Sequence, residues 1–125
     1  MLENVSQKKE ASIYNWAFVA GMKLMESFER IYGEKRAERK MEALLLTLRS
    51  EMIPDRFRRA LIDIIIEVVP VVGIPQEVKV ERSWTINEFY RYSTAILAGL
   101  FDAFNAWRES KKKEAKEKAK GDVNA

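Results

Sequence analysis

Asp63 and Glu67 stand four residues apart inside a helical pattern, a spacing that places both carboxylates on one helix face. Carboxylates so placed hold metal pairs in helical bundles, where an E-x-x-H motif completes the set. This chain has no His and no Cys, so the set cannot be completed. Flanking Ile64 to Ile66, the two acids read instead as a solvated edge. The missing His removes the commonest general base and metal ligand. The missing Cys removes thiolate nucleophiles, disulfides and zinc–thiolate sites. No G-x-x-x-x-G-K-[ST], G-x-G-x-x-G, H-E-x-x-H or G-x-S-x-G motif occurs. The expectation is a protein that is not an enzyme and takes no cofactor or metal.

Basic clusters are the next candidates. Lys35, Arg36, Arg39 and Lys40 open the second helical pattern, and Arg56, Arg58 and Arg59 open the third. A helix N-terminus is already partly positive, so cations there are mildly unfavourable unless they meet an anion. One reading is surface ion pairing, with Glu34, Glu38, Glu42 and Asp55 close by. The other is contact with nucleic-acid phosphates. Arg91 and Tyr92 are the best placed pair for a phosphate and a stacked base. Trp16, Phe18, Tyr90, Phe101 and Trp107 could also stack, although at helical spacing such aromatics usually fill a core.

The net charge of +3 sharpens this. Residues 1–107 hold 15 Lys+Arg and 15 Asp+Glu, while residues 108–125 hold seven and four. The excess belongs to a Lys-rich tail, which either solvates the chain or touches phosphates without sequence preference.

The elements that must position these residues are helices. At 125 residues the chain fits one domain. A first helix is expected from about Ser6 to Tyr32, stopped by Gly33. Its apolar residues form two adjacent seams, Ile13, Ala17, Ala20, Leu24 and Ile31 beside Tyr14, Phe18, Gly21, Met25, Phe28 and Tyr32. A second helix covers Glu34 to Met52, buries Ala37, Met41, Leu44, Leu45, Leu48 and Met52, and ends at Pro54. A third, capped by Asp55, runs to about Val69, buries Phe57, Ala60, Leu61, Ile64, Ile65 and Val68, and is stopped by Pro70. In residues 71–82, Val78 and Val80 alternate with Lys79 and Glu81, which predicts a small β-hairpin or extended arm. Thr85 and Glu88 form a capping box, with Trp84 and Phe89 as its hydrophobic staple. The last helix buries Phe89, Ser93, Ile96, Leu100, Ala103, Phe104 and Trp107, with Tyr90, Leu97 and Phe101 beside that stripe. Pairs such as Glu109–Lys113 carry it into solvent until Gly121 ends it. The expected architecture is mainly α: a four-helix bundle-like single domain over residues 1–107, a small β element before the last helix, and a helical extension over 108–125.

No stretch is long and apolar enough for a membrane span or built like a signal peptide, so a cytoplasmic protein is expected. Few amides and many Lys, Glu and Arg match a hyperthermophile composition, and a solubility-adapted mesophile protein would look similar. Two helices carry more apolar surface than a small bundle needs, which marks partner surfaces.

Taken as a whole design, the chain resembles the small subunit of archaeal type I-A CRISPR surveillance complexes. It is short, mostly helical and free of His and Cys, with Arg clusters and a β insertion before a long last helix. The resemblance implies a non-catalytic subunit of an antiviral ribonucleoprotein that packs against neighbouring protein subunits. It would support a guide RNA or a DNA target strand through backbone contacts. The balanced charge of residues 1–107 departs from what a strand-holding subunit would carry. The alternative expectation is a homo-oligomeric structural or interaction protein of viral or plasmid origin that binds no nucleic acid.

Overall fold

The computed structural model describes residues 2–50, 54–79 and 83–124. In chain order the elements are α1 (Leu2–Tyr32), α2 (Glu34–Ser50), α3 (Pro54–Val72), α4 (Gln76–Lys79) and α5 (Ile86–Asn124). Four substantial helices form the bundle, and no strand occurs among the described residues.

α1 and α5 share the longest interface. Their contacts run Glu10 to Arg91, Ala17 to Gly99, Gly21 to Ala103 and Glu29 to Lys111, so the two helices are parallel. Ala17 and Gly21 lie one turn apart on α1, as Gly99 and Ala103 do on α5. A Cβ added at Gly99 would lie 2.6 Å from the Tyr14 carbonyl oxygen, 2.7 Å from the Ala17 Cβ and 2.9 Å from the Phe18 nitrogen. At Gly21 it would lie 2.7 Å from the Ala103 Cβ. Backbone meets backbone here because small residues face small residues. Around this contact Ile13, Leu24, Ile96, Leu100 and Phe104 are all buried.

Gly33 turns the chain back. Its φ of 83° lies in the left-handed region, which costs glycine nothing, and its N–H donates to the Glu29 carbonyl at 2.9 Å. α2 therefore runs antiparallel to α1, and Lys40 comes to lie over the Tyr32 ring at 4.1 Å. Ala37, Met41, Leu45 and Leu48 bury the expected α2 stripe, with Leu44 half-buried. Met52 lies outside the described residues.

α3 departs from expectation at both ends. It begins at Pro54, the first-turn position where a missing N–H costs nothing, so Asp55 sits inside the first turn instead of capping it. It also continues through Pro70 to Val72. Pro70 has no N–H for the Ile66 carbonyl, but Ile66 lies on the solvent side (68% exposed), where water can serve that carbonyl. The stop is Gly73, at φ 72°. The inner face of Phe57, Leu61, Ile64 and Val68 is buried as expected.

The expected β-hairpin or arm is a helical turn. Pro75 opens it, its carbonyl accepting from the Val78 and Lys79 amides at 3.0 and 3.1 Å. One turn buries Val78 in the core (2% exposed) and exposes Lys79. Burial has overridden the β preference of the alternating valines. Val80 and Glu81 lie outside the described residues. Two indoles pin the connection: Trp16 Nε1 donates to the Gly73 carbonyl at 2.8 Å and Trp84 Nε1 to the Glu77 carbonyl at 2.9 Å.

The α5 capping box forms reciprocally. The Glu88 amide donates to the Thr85 hydroxyl and the Thr85 amide to the Glu88 carboxylate, each at 3.1 Å. The bond from the Thr85 amide to the carboxylate holds the Glu88 pKa below its ordinary value, with a lesser contribution from the Thr85 hydroxyl. In place of a staple to Phe89, Trp84 packs edge-on against Tyr92, and Phe89 does the same against Phe57. The α5 stripe from Phe89 to Trp107 is buried throughout. α5 does not stop at Gly121 but reaches Asn124. A glycine lowers helix propensity without forbidding helix.

The close α1–α5 contact yields a prediction. Gly99→Ala should gain about 1 kcal/mol in helix propensity, but overpacking against α1 backbone costs about 1–3 kcal/mol. We expect net destabilisation in urea unfolding, with a smaller loss for Gly21→Ala, whose nearest neighbour is a single methyl group.

Candidate functional site

The basic residues do not form one surface. α2 runs back from the α1 terminus at which it starts, so Lys35, Arg36, Arg39 and Lys40 lie at one end of the α2–α3 hairpin. Arg56, Arg58 and Arg59 open α3 at the other end, about 25 Å away by the length of α2. Lys40 stacks over Tyr32 and Phe28. Arg56 and Arg58 have interactions of their own within the protein. Lys35, Arg36, Arg39 and Arg59 are exposed. Arg91 pairs with Glu10 across the α1–α5 seam. The stacking candidate beside it is lost: Tyr92 is buried (3% exposed) under Trp84, and burial raises its phenol pKa. Trp16 and Trp107 are core residues as well, while Tyr90 and Phe101 are about half exposed.

Where α5 leaves the bundle, a polar clasp forms. Lys111 pairs with Glu29, and the Trp107 indole donates to the same carboxylate at 3.1 Å. Arg108 reaches Glu38 at 3.2 Å and Glu42 at 2.6 Å while its guanidinium lies 4.2 Å over the Phe104 ring. The Lys111 bond holds the Glu29 carboxyl below its ordinary range, with a lesser contribution from Trp107. The Glu29 bond holds the Lys111 ammonium above its own. α1 ends three residues past Glu29, so α5 passes the bundle within a turn of Lys111, and residues 112–120 are exposed. At 100° per residue, Lys112, Lys113, Lys116 and Lys120 share an arc of about 100° on this projection.

An opening lies between α2 and α5. It is a groove of about 680 Å³ whose walls include Leu45, Leu46, Leu97, Ala98, Phe101 and Phe104. Leu46 is 67% and Phe101 52% exposed. Glu42, Arg49, Asp102 and Arg108 stand at its margin. The Asp102 carboxylate accepts a hydrogen bond from the Tyr14 hydroxyl, which raises the Tyr14 pKa. Sequence patterning placed Leu97 and Phe101 beside the α5 stripe but missed Leu46 and Arg49. The signal for Leu46 was the run Leu44 to Leu46, of which a single helix face can take only part.

A second apolar feature lies on α3. Ile62, Ile66 and Val69 are 42%, 68% and 37% exposed and recur at helical spacing, forming a ridge. Asp63 and Glu67 lie along one edge of it, exposed. Among the described residues no group of three or more metal-binding side chains occurs, and no helix is long and apolar enough to cross a membrane.

No family model, curated protein or solved structure matches the chain.

The clasp gives a pH prediction. Glu29 has a lowered pKa in the fold, so its contribution is present above its unfolded value and is lost as pH falls through the folded one. Lys111 is raised, so its side of the pair fails only in strong alkali. Glu29→Gln should therefore destabilise the protein at neutral pH, by about 1 kcal/mol for a part-buried pair that water still screens. The difference from the parent should vanish in acid, well below the ordinary 4.5. Urea unfolding of both proteins across that range reads it.

Proposed function

We propose that the protein is a non-catalytic assembly subunit whose principal contact is the α2–α5 groove. The observation that carries the reading is the exposure of Leu46 and Phe101 in an open apolar cleft that the finished fold leaves unfilled. Apolar surface of this kind, rimmed by charge, is how soluble proteins present a docking site. Parallel walls formed by two helices suit an amphipathic helix, which seats its apolar stripe between them and leaves its polar face in water. The antiviral ribonucleoprotein subunit that the overall design resembles would use such a groove to hold a neighbouring subunit.

Nucleic acid is the second contact we propose, carried by the lysine arc of the α5 projection. Lys112, Lys113, Lys116 and Lys120 are exposed on a helix that stands clear of the bundle, where a phosphate backbone can approach without meeting the balanced charge of residues 1–107. Glu109, 3.6 Å from Lys112, and Glu117 at the edge of the arc keep the expected affinity modest. Of the candidates on the bundle, Arg91 and Lys40 contribute least, because Glu10 and the Tyr32 ring already engage them.

Two measurements test these readings. An apolar fluorescent dye should bind the parent protein and lose at least about tenfold in affinity in Leu46→Glu and Phe101→Glu, with helicity unchanged by circular dichroism. Equal binding by parent and variants would overturn the groove as the contact. Replacing the four lysines by Gln should weaken single-strand binding and lower the slope of log K against log salt by roughly 3, at about 0.7 per phosphate contact. An unchanged slope would remove the arc from that role.

A further inference from the structure

We infer that the occupant of the α2–α5 groove is α3 of a second copy of this chain. The inference rests on the groove being a docking site and names what fills it. The chain carries both halves of the contact. The ridge of Ile62, Ile66 and Val69 spans eight residues, about 10 Å of helix. The stretch of α5 lining the groove, Thr94 to Phe104, is about 15 Å long and can seat it. The apolar floor of the groove matches an apolar stripe of the width one helix presents.

Charge sets the partner and the direction. The ridge has an acidic edge, Asp63 and Glu67, both exposed. The groove margin offers Arg49, exposed at the C-terminal end of α2, whereas Arg108 at the opposite end is held by Glu38 and Glu42. Seating the ridge with its acidic edge toward Arg49 brings opposite charges together along an apolar contact, the arrangement that fixes register between partners. In the reverse sense the acidic edge would lie along α5, where Asp102 lines the groove.

A ridge meeting a different surface on its neighbour is a heterologous contact. Unless both ridges seat reciprocally about a two-fold axis, such contacts do not close at two copies but continue into a ring or an open chain. Each copy in the series then keeps one filled groove and one seated ridge, and the terminal copies keep one free half each.

Complementation between two variants tests this. Phe101→Glu damages the groove and leaves the ridge intact, and Ile66→Glu does the reverse. Both positions are more than half exposed, so both variants should fold. Sedimentation of the parent from micromolar to millimolar concentration should show association, stopping at the dimer if the two contacts are reciprocal and growing beyond it if they are not. Each variant alone should remain monomeric, with association weakened by at least about tenfold. Mixed in equal amounts, the two variants should form a dimer and nothing larger, because one intact ridge meets one intact groove. A parent that stays monomeric throughout overturns the inference, as does a mixture that forms no dimer. If the parent is monomeric yet binds the apolar dye in a Phe101-dependent way, the groove stands and the second copy falls. If dye binding is also independent of Phe101, both readings fall together.

Discussion

Everything in this fold is arranged around the place where α1 and α5 touch without side chains between them. Gly99 lies so close to the Tyr14 carbonyl and the Phe18 amide that a single added carbon would collide with backbone. A contact that tight fixes the separation and register of the two longest helices. It decides that Glu10 meets Arg91 at one end and that Glu29 meets Lys111 and Trp107 at the other. α2 then has a defined surface to fold back on, and the groove takes its width from the helices that flank it. The groove is what remains after a close-packed pair has set the spacing.

The proposed docking role draws on where polar groups stand and where they do not. At the α5 exit the charged side chains answer one another, Lys111 with Glu29 and Arg108 with two glutamates. Those pairs rigidify the helix as it leaves the bundle and leave little unsatisfied charge to hold a small ligand. The cleft beside them is mostly apolar, and the half-exposed Phe101 and Leu46 face no partner in the fold. Burial in an assembly is worth most to side chains of this kind, since each Å² of apolar surface removed from water is worth about 25 cal/mol.

Much of this was legible in the residue pattern. The α2 and α5 stripes, the Gly33 stop and the Thr85–Glu88 capping box follow from helical period and end chemistry, and the structure forms each of them. Local rules failed where a tertiary contact outweighed them. Pro70 did not end α3, because the carbonyl it deprives faces solvent. The Val78 alternation did not make a strand, because a single turn buries that side chain better. The close contact was hidden for another reason. Gly21, Gly99, Ala17 and Ala103 register in an apolar pattern as small core residues, and nothing local says that two such pairs, far apart in sequence, meet. The basic clusters were legible as residues, but their separation to opposite ends of α2 follows from chain reversal. Leu46 and Arg49 escaped because a groove belongs to two helices, and a periodicity belongs to one.

The pairing of the first helix with the last also sets a condition on how the chain is made. The contact from Glu29 to Lys111 joins residues 82 apart in sequence. At about 5–20 residues per second of synthesis, α1 waits several seconds or more before the helix that completes its small-residue face leaves the ribosome. Until then the small-residue face of α1 has no counterpart, and the loop that must close is nearly the whole domain. Closure over so long a span is slow, so the rate of folding is set by how late the two small-residue faces can meet.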